Sequence, residues 1–220
     1  MPLPTIYIYD VPEVVTPEAL AADLVRLPDF RREQALRLRS LRRRVLSAKA
    51  YLLLQYAVRE VFGCTTTQPW RYGPHGKPML TDCEGLHFSL SHCPRAVLCA
   101  VGTSPLGADI EAVPAQLRPS LLRYCCSAEE VAAVEADADP RMAFTRLWTR
   151  KEALAKYTGE GIMAHRLPHL LTEDAVTALR FQTEDDAARG VAFSLCTAHY
   201  AADEEACEVR FVHPEIPQNE

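Results

Sequence analysis

The stretch Trp148-Thr-Arg-Lys151-Glu152-Ala-Leu-Ala-Lys156, downstream of Asp109-Ile-Glu111, puts charged groups where a helix and a strand are expected to be apolar. At 100° per residue, Phe144, Leu147, Leu154 and Ala155 share one apolar stripe, and Lys151 falls in the middle of it. Trp148, Glu152 and Lys156 form an i, i+4 column along its flank. Read alone, this is an amphipathic surface helix: Glu152 and Lys156 make a pair worth only ~0.3 kcal/mol, and Lys151 snorkels to water. The upstream carboxylates shift the balance. Gly107-Ala-Asp109-Ile-Glu111 reads as a strand, and its period of two sets Asp109 and Glu111 on one face, roughly 7 Å apart. Two like charges there need a counter-charge. With Glu152 as a third oxygen donor on a nearby helix, the set suits a hard cation such as Mg2+, which completes its shell with water and substrate phosphates.

At 220 residues and 48% hydrophobic, the chain is long enough to bury a core as one domain or two small lobes. No apolar stretch approaches the ~20 residues of a membrane span, and the start MPLPTIYIYD lacks the basic and apolar regions of a signal peptide. A cytoplasmic protein is expected. The eight cysteines form no C-x-x-C pair and several sit in apolar strand-like runs, so they are read as reduced and structural. The net charge of −5 hides an asymmetry: residues 31–49 carry +7 and the rest −12. Such a patch implies an anionic partner. It is not interleaved with aromatics and no recognition motif accompanies it, which argues against nucleic acid. The outermost arginines read as a solvated helix face.

Leu3 to Tyr9 has the texture of an opening strand, and Thr16-Pro17-Glu18 starts a short helix reaching about Leu27. A longer helix is expected from the arginine-rich stretch through Tyr51 and Val58 to a stop at Gly63. Thr65 to Pro78, with three prolines and two glycines, reads as a surface loop. His87 to Leu90 and Ala96 to Val101 read as strands, and Thr103-Ser-Pro105 turns the chain into the carboxylate strand, giving a hairpin with a buried side. Ser127-Ala-Glu-Glu130 is a capping box. The Lys151 helix follows and stops near Gly159-Glu-Gly161. Strands at Leu179 to Gln182, Val191 to Thr197 and Glu208 to Val212 close the chain. The order suggests α+β with two similar lobes, and Ala96 to Ala100 faintly resembles Val191 to Leu195.

Several constellations are discounted. Ser91 and His92 are adjacent on a strand and point to opposite faces, so they do not form a nucleophile and its base. His165 and His169 have zinc spacing, but Pro168 breaks the helix that such a pair needs. Gly159-x-Gly161 lacks a third glycine and a preceding strand, and no Walker A run occurs.

Gly76-Lys77-Pro78, Phe88-Ser-Leu-Ser91-His92, Gly107-Ala-Asp109-Ile-Glu111 and Trp148 to Lys156 stand in that order. In this the chain resembles the 4′-phosphopantetheinyl transferase superfamily, in its long, monomeric type that activates peptide and polyketide synthases. Members carry Gly-Lys-Pro, Phe-Asn-x-Ser-His, Gly-x-Asp-x-Glu and Trp-x-x-Lys-Glu-x-x-x-Lys, and Ser89 stands here where Asn is usual. The resemblance implies an α+β pseudo-dimer of two similar α/β lobes, each a small antiparallel sheet packed on helices. The N-terminal lobe would be residues 1–105 and the C-terminal lobe residues 106–220. Coenzyme A would lie in the cleft between them, with Mg2+ (or Mn2+) on its pyrophosphate. The implied reaction moves 4′-phosphopantetheine from coenzyme A to a serine of an acyl or peptidyl carrier protein.

Under that resemblance Asp109, Glu111 and Glu152 would hold the metal. Glu152 would act as general base and Lys156 would stabilise the leaving 3′,5′-ADP. Lys151, Ser91 and His92 would meet the phosphates, Lys77 and Pro78 the adenine nucleotide, and Arg43 or Arg44 the 3′-phosphate. Leu117, Arg118, Leu121 and Arg123 would dock the carrier, with ordinary core packing as the competing account of the leucines. Two other classes stay open on the sequence: a coenzyme A binding module without catalysis, and an RNA-binding protein using the basic helix. No nucleic-acid or membrane partner is expected, and the chain is expected to be a monomer.

Overall fold

The computed structural model describes residues 3–172, 174–198 and 206–212. The opening strand β1 (Thr5–Asp10) leads to α1 (Pro17–Val25), whose N-cap Thr16 accepts a hydrogen bond from the Ala19 amide at 3.2 Å. The expected long arginine-rich helix is divided into α2 (Asp29–Leu36) and α3 (Leu41–Phe62). Ser40 causes the division: its hydroxyl accepts from the Arg43 amide and begins a new helix, an arrangement a mid-helix serine does not provide. At the far end Gly63 takes φ +64°, the left-handed conformation that closes a helix.

The expected loop from Thr65 to Pro78 contains a two-stranded ribbon, β2 (Arg71–Tyr72) with β3 (Pro78–Met79). Then come β4 (His87–His92), β5 (Ala96–Gly102) and β6 (Leu106–Ala112). Three helices follow: α4 (Pro119–Cys125), α5 (Ala128–Ala136) and α6 (Pro140–Thr158). Both halves of the Ser127/Glu130 capping box are present at the start of α5. The chain closes with β7 (Leu179–Asp186), β8 (Val191–Ala198) and β9 (Glu208–Val212).

The strands make a sheet of order β4-β5-β1-β9 and a second of order β6-β8-β7. Alternation along β1 and β5 sends Tyr7, Tyr9, Val97, Cys99 and Val101 toward Val45, Tyr51, Leu53 and Leu54 of α3. The opposite face, Ile6, Ile8, Leu98 and Ala100, packs on Leu106, Ala108, Ile110, Phe193 and Leu195 of the second sheet. Beyond that sheet, Cys196 meets Ala153 and Leu154 of α6. The fold is thus α+β in four layers, helices, sheet, sheet, helices.

Two expectations are corrected. The carboxylate strand β6 does not extend the β4–β5 hairpin; it pairs with β8. Its apolar residues, Leu106, Ala108 and Ile110, are buried against the face of the first sheet. The division at residues 105/106 also fails for the last strand, because β9 pairs in parallel with β1 in the first sheet. All eight cysteines are free thiols. Among the described residues, no helix is long and apolar enough to cross a membrane.

Candidate active site

Since Ala108 and Ile110 point into the core between the sheets, Asp109 and Glu111 must face α6. The approach of α6 to β6 is set by Gly107: a Cβ there would lie 2.2 Å from both the Ala153 carbonyl oxygen and the Tyr157 amide nitrogen. Only a glycine lets the helix backbone lie this close to the strand, and that same turn of the helix carries Lys156 to Asp109. From the other side, β4 crosses β6. The Ser89 hydroxyl donates to Ala108 O at 3.2 Å and accepts from Ala108 N at 2.9 Å, so the serine that departs from the family pattern joins the two strands.

The result is a cleft of about 580 Å³. At one end stand Asp109, Glu111, Glu152, Lys156, Ser91 and His92. Asp109 is buried, and its Oδ1 accepts from Ser91 Oγ and from Lys156 Nζ, each at 2.7 Å. Its Oδ2 is buried with no partner among the described residues. Burial, and then the Asp109 charge, push the Glu111 carboxyl up to about 7. The same two causes raise Glu152. The His92 imidazole is shifted below the usual histidine range, chiefly by desolvation between the cleft walls, with Lys156 and Arg43 adding to the effect. The three carboxylates share one cleft. Among the described residues, however, no trio of His, Cys, Asp and Glu is already gathered closely enough to hold a metal ion.

The cleft is also lined by His75, Gly76, Lys77 and Pro78 of the loop, and by Trp70, Phe88 and Arg31. Arg31 is a residue the sequence reading left among its basic patch. It is buried, and its guanidinium carbon lies 4.4 Å from the Trp70 ring centroid and 5.2 Å from that of Tyr51. Arg31 Nε and Trp70 Nε1 are both buried donors with no hydrogen-bond partner among the described residues. The only sequence signal for Arg31 was its place in the charged run, which does not separate it from its neighbours. Those neighbours have other work: Arg32 holds the Leu24 and Leu27 carbonyls, Arg42 those of Pro12, Glu13 and Pro94, and Lys49 pairs with Asp23 at 2.8 Å.

One expected ligand is placed elsewhere, and two others do not line the cleft. Lys151 is 1% exposed and outside the cleft: its ammonium donates to Cys125 O, Leu167 O and Glu130 Oε2 at 2.6–2.8 Å. All three N–H bonds are used internally, so it has none for a phosphate. Neither Arg43 nor Arg44 lines the cleft, although Arg43 lies near enough to His92 at its edge to act on that imidazole. Arg43 is exposed, and Arg44 Nε is held by Leu38 O at 2.7 Å. Of the expected docking residues, Leu117 packs partly buried beside Leu122 and Phe144, whereas Arg118, Leu121 and Arg123 are exposed on or next to α4. Leu121 borders a second, smaller pocket of about 280 Å³, with Phe144, Thr145 and Trp148, which shares Glu111 with the cleft. His169 lies exposed on a short 3-10 turn.

A family model described as the 4′-phosphopantetheinyl transferase superfamily matches residues 105–205, which contain β6, α6 and the three carboxylates. The chain is 29% identical over 155 residues to 4′-phosphopantetheinyl transferase psf-1 of Bacillus pumilus, covering 69% of this chain and 66% of that one. It is 33% identical over 89 residues to 4′-phosphopantetheinyl transferase Sfp of Bacillus subtilis (strain 168), covering 40% of each. It is 38% identical over 98 residues to 4′-phosphopantetheinyl transferase HetI of Nostoc sp., covering 41% of each. The match therefore spans less than half the length of two of these relatives and about two thirds of the third. With the family model lying over the carboxylate strand and the Lys156 helix, the chain is similar there to the 4′-phosphopantetheinyl transferase superfamily.

Proposed function

We propose that this protein transfers the 4′-phosphopantetheine group of coenzyme A to a serine hydroxyl of an apo carrier protein. The serine oxygen forms a bond to the pantetheine-side phosphorus, the bond from that phosphorus to the bridging oxygen breaks, and 3′,5′-ADP leaves. The observation that carries this reading is Asp109: a buried carboxylate with one oxygen held by Ser91 and Lys156 and the other unpartnered, in a cleft shared with Glu111 and Glu152. A buried anionic oxygen without a partner is costly unless a cation completes it.

Asp109, Glu111 and Glu152 are the residues that would hold Mg2+ or Mn2+; all-oxygen, carboxylate-rich donors suit these hard ions. Such an ion, when bound, neutralises charge on the pyrophosphate oxygens during phosphoryl transfer. Glu152, made more basic by burial and by Asp109, would take the serine proton. Lys156, whose ammonium donates to Asp109 and to the Leu90 carbonyl, lines the same cleft and would meet charge growing on the leaving phosphate. His92 and Ser91 line the same end. Arg31 and Trp70, which also line the cleft, offer two buried N–H donors to an acceptor-rich group, and we assign the 3′-phosphate of the nucleotide there in place of Arg43 and Arg44. Leu121, Arg118 and Arg123 form the exposed face beside the pocket next to Glu111, suited to an acidic, partly apolar carrier surface.

The test is incubation of the purified chain with coenzyme A, Mg2+ and an apo carrier, followed by intact-mass measurement of the carrier. A gain of one phosphopantetheine that vanishes with Asp109→Ala is expected. An unmodified carrier despite tight coenzyme A binding would establish a binding module instead.

A further inference from the structure

Lys77 lines the cleft, but its ammonium is turned toward the protein. Nζ donates to the Leu106 carbonyl at 3.0 Å and to the Tyr157 carbonyl at 2.9 Å. The two acceptors belong to the elements that build the catalytic end: Leu106 opens β6, and Tyr157 is in the last turn of α6, directly after Lys156. Carbonyls in the last turn of a helix have no intrahelical donor. Here Gly159 N satisfies Ala155 O at 2.9 Å, while the Tyr157 carbonyl receives Lys77. A cation at this end also complements the helix dipole. The lysine stem is seated against the helix stop: Gly159, at φ +76°, would bring an added Cβ to 3.3 Å from Lys77 Cβ. Both acceptors are neutral carbonyls, so this is a bracket between backbone segments and not an ion pair.

We propose that Lys77 is a positioning residue whose ammonium braces the cleft loop against the last turn of α6 and the start of β6, and thereby holds Lys156 against Asp109. The brace reaches α6 one residue from Lys156, on the side where Gly107 already brings helix and strand into backbone contact. A shift of the helix end would move the ammonium of Lys156 relative to Asp109 Oδ1, now 2.7 Å away. Displacements of ~1 Å near reacting groups are costly in rate, on the order of 100-fold. The nucleotide-side wall, through Gly76, Lys77 and Pro78, is joined by the same bond to the phosphate-side machinery.

The activity arm of the test rests on the transferase reading; the exchange arm does not. Lys77→Met keeps the stem and removes the donors. In the ligand-free variant, hydrogen exchange should lose protection at the end of α6, residues 155–159, while α3 keeps its own. In steady state kcat should fall by at least about tenfold, with KM for coenzyme A changed by less than about threefold. If KM rises and kcat holds, Lys77 is a substrate ligand and the brace is refuted; unchanged exchange at the helix end refutes it as well. Should Lys77→Met not fold, Lys77→Gln, with a shorter stem and an uncharged amide, is measured in the same way. A wild-type chain that transfers nothing would defeat the transferase reading and leave the exchange result to decide the brace.

Discussion

Asp109 and Glu111 occupy equivalent positions on one strand face, yet their surroundings divide their roles. Asp109 has Ser91 and Lys156 on one oxygen, whereas Glu111 is held near 7 by burial and by the Asp109 charge. In the ligand-free protein the folded state therefore keeps a proton that the unfolded chain has released between pH 4.5 and about 7. The contribution of Glu111 to stability falls as pH rises through that window. A divalent cation must displace the same proton, so its apparent affinity should strengthen as pH rises to about 7 and level off above. Calorimetric titration with Mg2+ across this range checks the slope, and Glu111→Gln should flatten it; a slope unchanged in the variant would move the proton to another group. Lys151 shows the limit of periodicity. Its place within the apolar stripe was read as snorkelling to water or as reaching a phosphate, and only the fold reveals that it is buried, with Glu130 and two carbonyls as its partners. Lys151→Met should cost about 3 kcal/mol in denaturant unfolding by leaving Glu130 unpaired, with coenzyme A affinity unchanged.

The pairing of β6 with α6 is the element on which the site depends, and it was legible because its determinants are local. The period-two carboxylates and the i, i+4 column encode their geometry within a few residues, whereas the role of Gly107 shows only in the packing. The split between α2 and α3 was missed because Ser40 was read as part of the basic run and not as an N-cap. The placement of β6 in its own sheet was missed because the turn at 103–105 is compatible with either sheet. Gly107→Ala tests the tight crossing directly. Its methyl would meet backbone atoms at 2.2 Å, which no rotamer change relieves, so α6 must withdraw from β6. Such a substitution should destabilise by ~1–3 kcal/mol, as overpacking does, and abolish transfer even where the fold survives. A fully active, equally stable variant would mean that the helix slides without moving Lys156 from Asp109.

At the scale of the whole molecule, the return of β9 to pair with β1 is a contact between distant parts of the chain, and nothing in either strand's own pattern specifies it. The same holds for Arg31: eight cations stand in residues 31–49, and only packing shows which one is buried against Trp70 inside the cleft. A ligand lying along this cleft touches both sheets and both helical layers, so its binding should stabilise the entire fold, by ~2.7 kcal/mol at a hundredfold excess over Kd. Coenzyme A and dephospho-coenzyme A differ only by the 3′-phosphate, and the difference between their effects on Tm isolates the subsite that receives it. In the wild type coenzyme A should raise Tm more than its dephosphorylated form. In Arg31→Met the two shifts should converge, because the buried guanidinium that distinguishes them is gone while the stacking surface of Trp70 remains. Comparing shifts rather than absolute Tm values removes any change the substitution makes to the empty protein. If the gap persists in Arg31→Met and closes in Arg43→Met, the 3′-phosphate lies at the exposed start of α3, and Arg31 serves the Trp70 and Tyr51 packing instead.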